Sequence, residues 1–118
     1  MPYRQGLHDL LTLLTGQWTV AVISTLAVGE RTFSDLLAKV NETEDQQGWI
    51  THKRPLSPRT LTDTLRRLEA NKLVDRRTED KQVKGSWAWY KLTADGRELL
   101  SMLRPLAKFA GNRRAGTS

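Results

Sequence analysis

A mostly α-helical domain with one small β-hairpin (α+β) is the fold class the sequence predicts, and three observations predict it. Apolar residues recur at helical spacing toward both ends of the chain. Two runs, residues 73–78 and 87–92, alternate as strands do and flank the charged turn EDKQVKGS, which contains Gly85. Ser57-Pro58 is a strong helix start, a capping hydroxyl followed by proline at the first helical position, where the missing N–H has no partner to lose.

Leu7, Leu10, Leu11 and Leu14 fall on one helical face, and Gly16 supplies a stop. Residues 18–28 carry Trp18, Val22, Ile23 and Leu26 at helical spacing and end at Gly29. Thr32 and Phe33 read as a short extended piece, and the Ser34 hydroxyl is placed to cap a third helix over residues 34–40. Residues 41–55, polar and containing Gly48 and Pro55, read as a long loop. The helix that starts at Ser57-Pro58 buries Leu61, Leu65 and Leu68 and runs to about Asn71. After the hairpin, Leu99, Leu100, Leu103 and Leu106 resume helical spacing, with Pro105 expected to kink or restart the helix. Residues 1–110 therefore form one domain, and residues 111–118 are expected to be a disordered basic tail.

With 118 residues the chain fits a single core, since domains run to about 100–150 residues before they divide. There is no cysteine, which excludes disulfides and thiolate chemistry within these residues. No run approaches the roughly 20 apolar residues that span a bilayer, so the expectation is a soluble cytoplasmic protein without a membrane partner. The net charge of +6 is unevenly placed. Residues 1–51 hold three basic and six acidic side chains, net −3, whereas residues 52–91 hold eleven and five, net +6, and residues 92–118 five and two, net +3. A basic region of that kind attracts polyanions.

Helix, helix, short helix, loop, capped helix, hairpin, helix is the order of a winged helix-turn-helix, the hairpin being the wing. With Leu61, Leu65 and Leu68 inward, Arg59, Asp63, Arg66 and Ala70 must point the other way, flanked by Ser57, Thr60, Thr62 and Arg67. A helix fits the major groove of double-stranded DNA, where arginine suits guanine O6 and N7. Asp63 can accept from cytosine N4, but the favoured reading is that it steadies Arg59 and Arg67 at i±4. Lys81 and Lys84 at the wing tip, with Lys53 and Arg54 ahead of the capped helix, suit phosphates.

These segments, GQWTVAVISTL at 16–26, RTFSDLLAKV at 31–40, LSPRTLTDTLRRLEANKLVDR at 56–76 and YKLTADGRELL at 90–100, resemble the HxlR family of regulators. The resemblance implies a winged-helix homodimer with the helix after Ser57 in the major groove. Its dimer interface would be made by the first and last helices, for which Leu7, Leu10, Leu11, Leu14, Leu99, Leu103 and Leu106 are candidates. The function so implied is a sequence-specific transcriptional regulator on a palindromic or pseudopalindromic operator. The alternative is a winged helix that binds proteins or RNA without operator specificity.

Three departures stand out. Members that sense oxidants place a cysteine just before the first helix, where this chain has Gln5. The turn between the two helices of the motif is long, although lengthening it from about four to about fifteen residues adds only about 1.2 kcal/mol of closure entropy. In the second strand Ala88, Tyr90 and Leu92 face one way and Trp87 and Trp89 the other, so Trp49 or Ile50, a second subunit or a ligand is expected to cover the tryptophans. No metal or cofactor motif is present, and the two histidines, His8 and His52, form no catalytic pattern, so an enzyme is not expected. A small-molecule effector is compatible with the sequence but has no motif behind it.

Overall fold

The computed structural model describes residues 2–14, 18–46, 54–78 and 88–116. Five helices and three strands succeed one another as α1 (Pro2–Leu14), α2 (Thr19–Leu26), β1 (Arg31–Thr32), α3 (Phe33–Gln46), α4 (Pro58–Ala70), β2 (Val74–Thr78), β3 (Ala88–Leu92) and α5 (Ala94–Gly116). No single described helix is long and apolar enough to cross a membrane. Gly16, expected to stop the first helix, lies outside the described residues, as do Trp49, Ile50, His52, Lys53, Lys81, Lys84 and Trp87.

The core centres on α2, which packs against α1, α3, α5 and β3. Val22, Ile23 and Leu26 are fully buried there, joined by Leu36 and Val40 of α3, the three leucines of α4, and Tyr90 and Leu92 of β3. Burying a leucine-sized side chain stabilises by about 1.5–3 kcal/mol, so this small cluster supplies most of the favourable free energy of the fold.

Four expectations are corrected. The extended piece before α3 is a true strand: β1 pairs antiparallel with β3 (Arg31 opposite Tyr90, Thr32 opposite Trp89), giving a three-stranded sheet in the order β1-β3-β2. The cap of α3 is Thr32, not Ser34, because the Asp35 N–H donates to Thr32 Oγ1 at 3.2 Å and the helix already begins at Phe33. α3 does not end at residue 40. Leu36, Val40 and Glu44, spaced by four, form one buried stripe, and Thr43 donates its hydroxyl to the Lys39 carbonyl, so residues 41–46 are helical where loop was expected. Finally, α5 is one element from Ala94 to Gly116 with Pro105 inside it, so the helix does not restart at the proline and residues 111–116 are helical where the tail was expected; residues 117–118 lie outside the described residues.

The longer α3 brings Asn41 to the approach of α4. Asn41 Nδ2 donates to the Leu56 carbonyl at 3.1 Å, while its Oδ1 accepts from the Leu56 N–H at 2.8 Å. A side-chain amide thus pairs with a backbone residue as a neighbouring strand would, directly before the helix cap. Leu56 itself is buried.

The two ends of α4 are closed as their residues dictate. Ser57, extended at φ −89°, accepts from the Thr60 N–H, and Pro58 comes next as expected. At the other end the Leu73 N–H reaches the Leu68 carbonyl at 2.9 Å and the Lys72 N–H the Glu69 carbonyl at 2.9 Å, the pattern that ends a helix through a left-handed residue. That residue is Lys72, with φ 60°, where glycine would be less strained. The buried Leu73 then leads into β2.

Gly96 fixes how α5 leaves the sheet. The Thr93 hydroxyl donates to the Lys72 carbonyl at 2.7 Å and accepts from the Gly96 N–H at 3.0 Å, which draws the first turn of α5 onto residues 72 and 73. A Cβ on Gly96 would collide with the Leu73 carbonyl oxygen, a backbone atom held by the Thr93 N–H. Gly96→Ala is therefore expected to destabilise the domain by about 1–3 kcal/mol, as overpacking in a fixed site does. Chemical denaturation of the two proteins checks this, and an unchanged midpoint contradicts it.

Candidate nucleic-acid interface

α4 divides into two faces. Leu61, Leu65 and Leu68 are at most 1% exposed, with Thr64 buried beside them. On the opposite face Arg59, Asp63, Arg66 and Ala70 are all exposed, with Arg67 beside them. Thr60 and Thr62 are half-buried on the flanks. Ser57 donates to Thr60 Oγ1 at 3.0 Å, and Thr62 donates to the Pro58 carbonyl at 2.9 Å. The flanking hydroxyls are thus oriented by the helix's own first turn and keep oxygen lone pairs for outside donors.

Arg54, Arg59, Arg66, Arg67 and Arg76 form no ion pair among the described residues. This corrects the expectation that Asp63 steadies Arg59 and Arg67. All three side chains are exposed. An exposed i,i+4 pair gains only about 0.3–0.5 kcal/mol, which the side-chain entropy of a long arginine offsets. The face carries unneutralised cations around one free carboxylate.

Arg76 is the addition that sequence reasoning misses. It stands on β2 opposite Tyr90 and, with Arg66 and Glu69, lines a polar cleft of about 320 Å³ between α4 and the sheet. Its alternating position in β2 is visible in the sequence, but only the crossing of α4 over β2 shows that it lies beside Arg66. Arg54, exposed just before Leu56, is the described part of the basic segment ahead of α4.

Arg77, the neighbouring cation, is held elsewhere. Its Nη2 lies 2.9 Å from Glu30 Oε1 and its Nε 3.3 Å from Oε2, and its guanidinium lies over the Trp89 ring, 5.6 Å from the centroid. Part of the expected tryptophan problem is thereby resolved: Trp89 is half-buried, with Arg77 from the adjacent strand over its ring. Trp87 and its expected cover lie outside the described residues.

Of the residues assigned to a dimer surface, Leu99 is corrected. At 6% exposure it belongs to the chain's own core, because α5 packs on α2 and β3 there. Leu10, Leu14 and Leu103 are half-buried, whereas Leu7, Leu11 and Leu106 are 46%, 52% and 61% exposed and are accompanied by Met102 and Phe109. Both terminal helices therefore present apolar side chains outward. Among the described residues no three acidic or histidine side chains are grouped to hold a metal ion.

A three-helix core, a helix with one charged face, and an antiparallel sheet running into a hairpin define a winged helix-turn-helix regulator. The HxlR-like helix-turn-helix family model matches residues 13–116, and the chain belongs to that family. No curated protein matches its sequence. Similar solved structures include a MarR-family transcriptional regulator from Enterococcus faecalis V583, at TM-score 0.73 and 20% identity over 97% of this chain and 90% of that one. The quinone-bound YodB of B. subtilis matches at TM-score 0.65 and 22% identity, over 92% and 98%. The regulator ytfH of Salmonella typhimurium matches at TM-score 0.64 and 24% identity, over 86% and 78%. At these identities the structures share the fold. The family and fold are those of transcription regulators.

The Glu30–Arg77 contact generates a pH prediction. The Arg77 hydrogen bond, with the Arg77 and Lys91 charges, holds the Glu30 carboxyl below its ordinary value of 4.5 against a smaller opposing effect of desolvation. A carboxyl whose folded pKa is depressed adds stability above its unfolded pKa and loses it as the pH falls through the folded one. Below the usual carboxylate range the tie between the turn before β1 and the sheet is expected to weaken. Glu30→Gln should remove that part of the acid dependence, measured as stability against pH for both proteins. Parallel curves would refute it.

Proposed function

We propose that the chain is a homodimeric regulator that binds a palindromic or pseudopalindromic operator in duplex DNA, with α4 in the major groove. The observation that carries this is the α4 face itself: Arg59 and Arg66 are exposed and unpaired among the described residues, on a helix whose other side is locked in the core. Arginine donates two parallel hydrogen bonds to guanine O6 and N7. With no arginine neutralising it, Asp63 serves as the acceptor for a cytosine N4 amine, a role that phosphates would oppose. Arg67 and the Thr60 hydroxyl, whose proton is not engaged, meet the flanking backbone, while the Ser57 and Thr62 oxygens, their protons already donated within the helix, accept from base-edge donors. Arg54 and Arg76, together with Lys53, Lys81 and Lys84, meet phosphates on either side.

The homodimer reading rests on the outward leucines of α1 and α5, which a second copy would cover. Leu7, Leu11 and Leu106 lead that surface, with Leu10, Leu14 and Leu103 at its inner edge. A two-fold dimer presents two α4 helices, which is what a symmetric operator requires. These 118 residues hold no cysteine, so a thiol response is not part of the reading.

Selection of bound duplexes from a random pool, followed by affinity measurements across a salt series, tests the proposal. Arg59→Ala or Arg66→Ala should cost about 1–3 kcal/mol on the selected duplex and relax preference at one base position in each half-site. Asp63→Ala should relax a different position. Arg76→Ala should weaken selected and scrambled duplexes alike and lower the salt slope by about one per subunit. If the arginine variants lose affinity equally on both duplexes, base readout by α4 fails. Preference for single-stranded RNA overturns the regulator reading in favour of an RNA-binding module.

For the dimer, light scattering at micromolar protein is expected to give twice the chain mass, and Leu11→Asp with Leu106→Asp to give the monomer. A wild-type monomer would remove the symmetric operator as well.

A further inference from the structure

A cavity of about 310 Å³ lies between α2 and the C-terminal half of α3, lined by neither α4 nor the sheet's β2 and β3 strands. Its volume is at the lower end of the roughly 300–1,000 Å³ that holds small organic ligands. Ala21, Val28 and Val40 give it an apolar lining, and Val28 is 81% exposed.

Its polar groups are unevenly engaged. Arg31 and Lys39 bring two cations. Arg31 gives Nη1 to Asp35 at 2.7 Å, but its Nε is buried with no partner. That Nε is closed to the cavity, so Arg31 meets a ligand through the rest of a side chain that is 19% exposed. Lys39 has only a loose 3.6 Å pair with Glu42. Thr25 and Thr43 have donated their hydroxyl protons to backbone carbonyls at 2.8 and 3.0 Å, so neither has a proton left for a ligand and the cations must supply the donors. Glu44, 6% exposed, adds one carboxylate, so a ligand with two negative charges would meet repulsion there.

The geometry points to this cavity as an effector site for a small amphipathic monocarboxylic acid, its apolar body on Ala21, Val28 and Val40 and its carboxylate taken by Arg31 and Lys39. The wall of the site and the tie to α4 are the same helix. Val40 and Thr43 flank Asn41, whose amide holds Leu56 directly before the Ser57 cap. A ligand that moves α3 against α2 therefore moves the start of α4. This last step rests on the DNA-binding reading above; occupancy of the cavity does not.

Amide ¹H–¹⁵N spectra of the full chain are titrated with benzoate, with benzamide as the neutral analogue and benzylamine as the cationic one, at matched ionic strength. Benzoate is expected to give saturable shifts centred on Ala21, Ser24 and Thr43. Benzamide should bind at least about tenfold more weakly, the loss of one charge-assisted hydrogen bond. Lys39→Gln, at a half-buried position whose side chain is 43% exposed, should weaken benzoate about tenfold with the spectrum otherwise unchanged, and Ser24→Trp should fill the space and abolish the shifts. Equal response to all three compounds, or shifts that do not saturate, overturns the site.

Coupling is read separately, from the affinity of the selected duplex with and without benzoate. A change in the wild type that vanishes in Asn41→Ala, while that variant still binds benzoate, supports the linkage. An unchanged duplex affinity refutes it. Saturable benzoate binding by a protein that binds no duplex would sustain the cavity and defeat the DNA-binding proposal instead.

Discussion

What α4 can offer to a partner depends on the burial of Leu61, Leu65 and Leu68. These three side chains anchor the helix in the core, and truncating any one of them is the kind of change that costs about 2–5 kcal/mol. Because a helix advances by 100° per residue, anchoring that stripe leaves no choice about which residues face outward. Arg59, Asp63 and Arg66 project because the leucines cannot. The charged face is therefore a rigid display and not a flexible arm, which is the condition for reading base edges to fractions of an ångström.

The display also has to be aimed, and the aim comes from both ends of the helix. At the start, Asn41 fixes Leu56 and Ser57 caps the first turn. At the finish, Lys72 accepts a left-handed conformation so that Leu73 can turn into the core and β2 can begin. Thr93 and Gly96 then close α5 over the same corner. Three polar side chains, Asn41, Ser57 and Thr93, and the left-handed turn at Lys72 thus meet the backbone groups that the short connections would otherwise leave unsatisfied. The wing inherits its direction from them, and Arg77, held by Glu30 and stacked on Trp89, steadies its base.

Most of this is legible in the residues, for a physical reason. The α4 stripe, its Ser-Pro start and the alternation of β3 are local patterns, and the helix and strand periods reveal them directly. The sequence pattern breaks α3 too early, at residue 41, because Asn, Thr and Asp favour turns and caps, and because Glu44 completes a stripe that a search for apolar residues does not count. β1 is legible as extended but not as a strand, since two residues carry no period and only pairing with β3 makes them sheet. Spacing alone assigns Asp63 to its helical neighbours, and spacing says nothing about whether exposed side chains gain by meeting. Arg76 escapes a linear reading because its relation to Arg66 is created by the crossing of a helix over a strand.

The extended α3 changes how the long connection in this chain should be understood. Lengthening a turn between two helices of the motif threatens the relative placement of those helices far more than it threatens stability, since closure entropy grows only with the logarithm of loop length. Here residues 41–46 continue the helix, and the chain rejoins the fold at Leu56, a point fixed by the Asn41 amide. Placement of α4 is thereby uncoupled from the conformation of the intervening chain. The same arrangement makes α3 a single lever, with Leu36 and Val40 in the core, Thr43 and Glu44 at a cavity, and Asn41 at the approach to α4. A helix that must hold α4 across a long connection is also the helix through which any change in its packing on α2 would be transmitted.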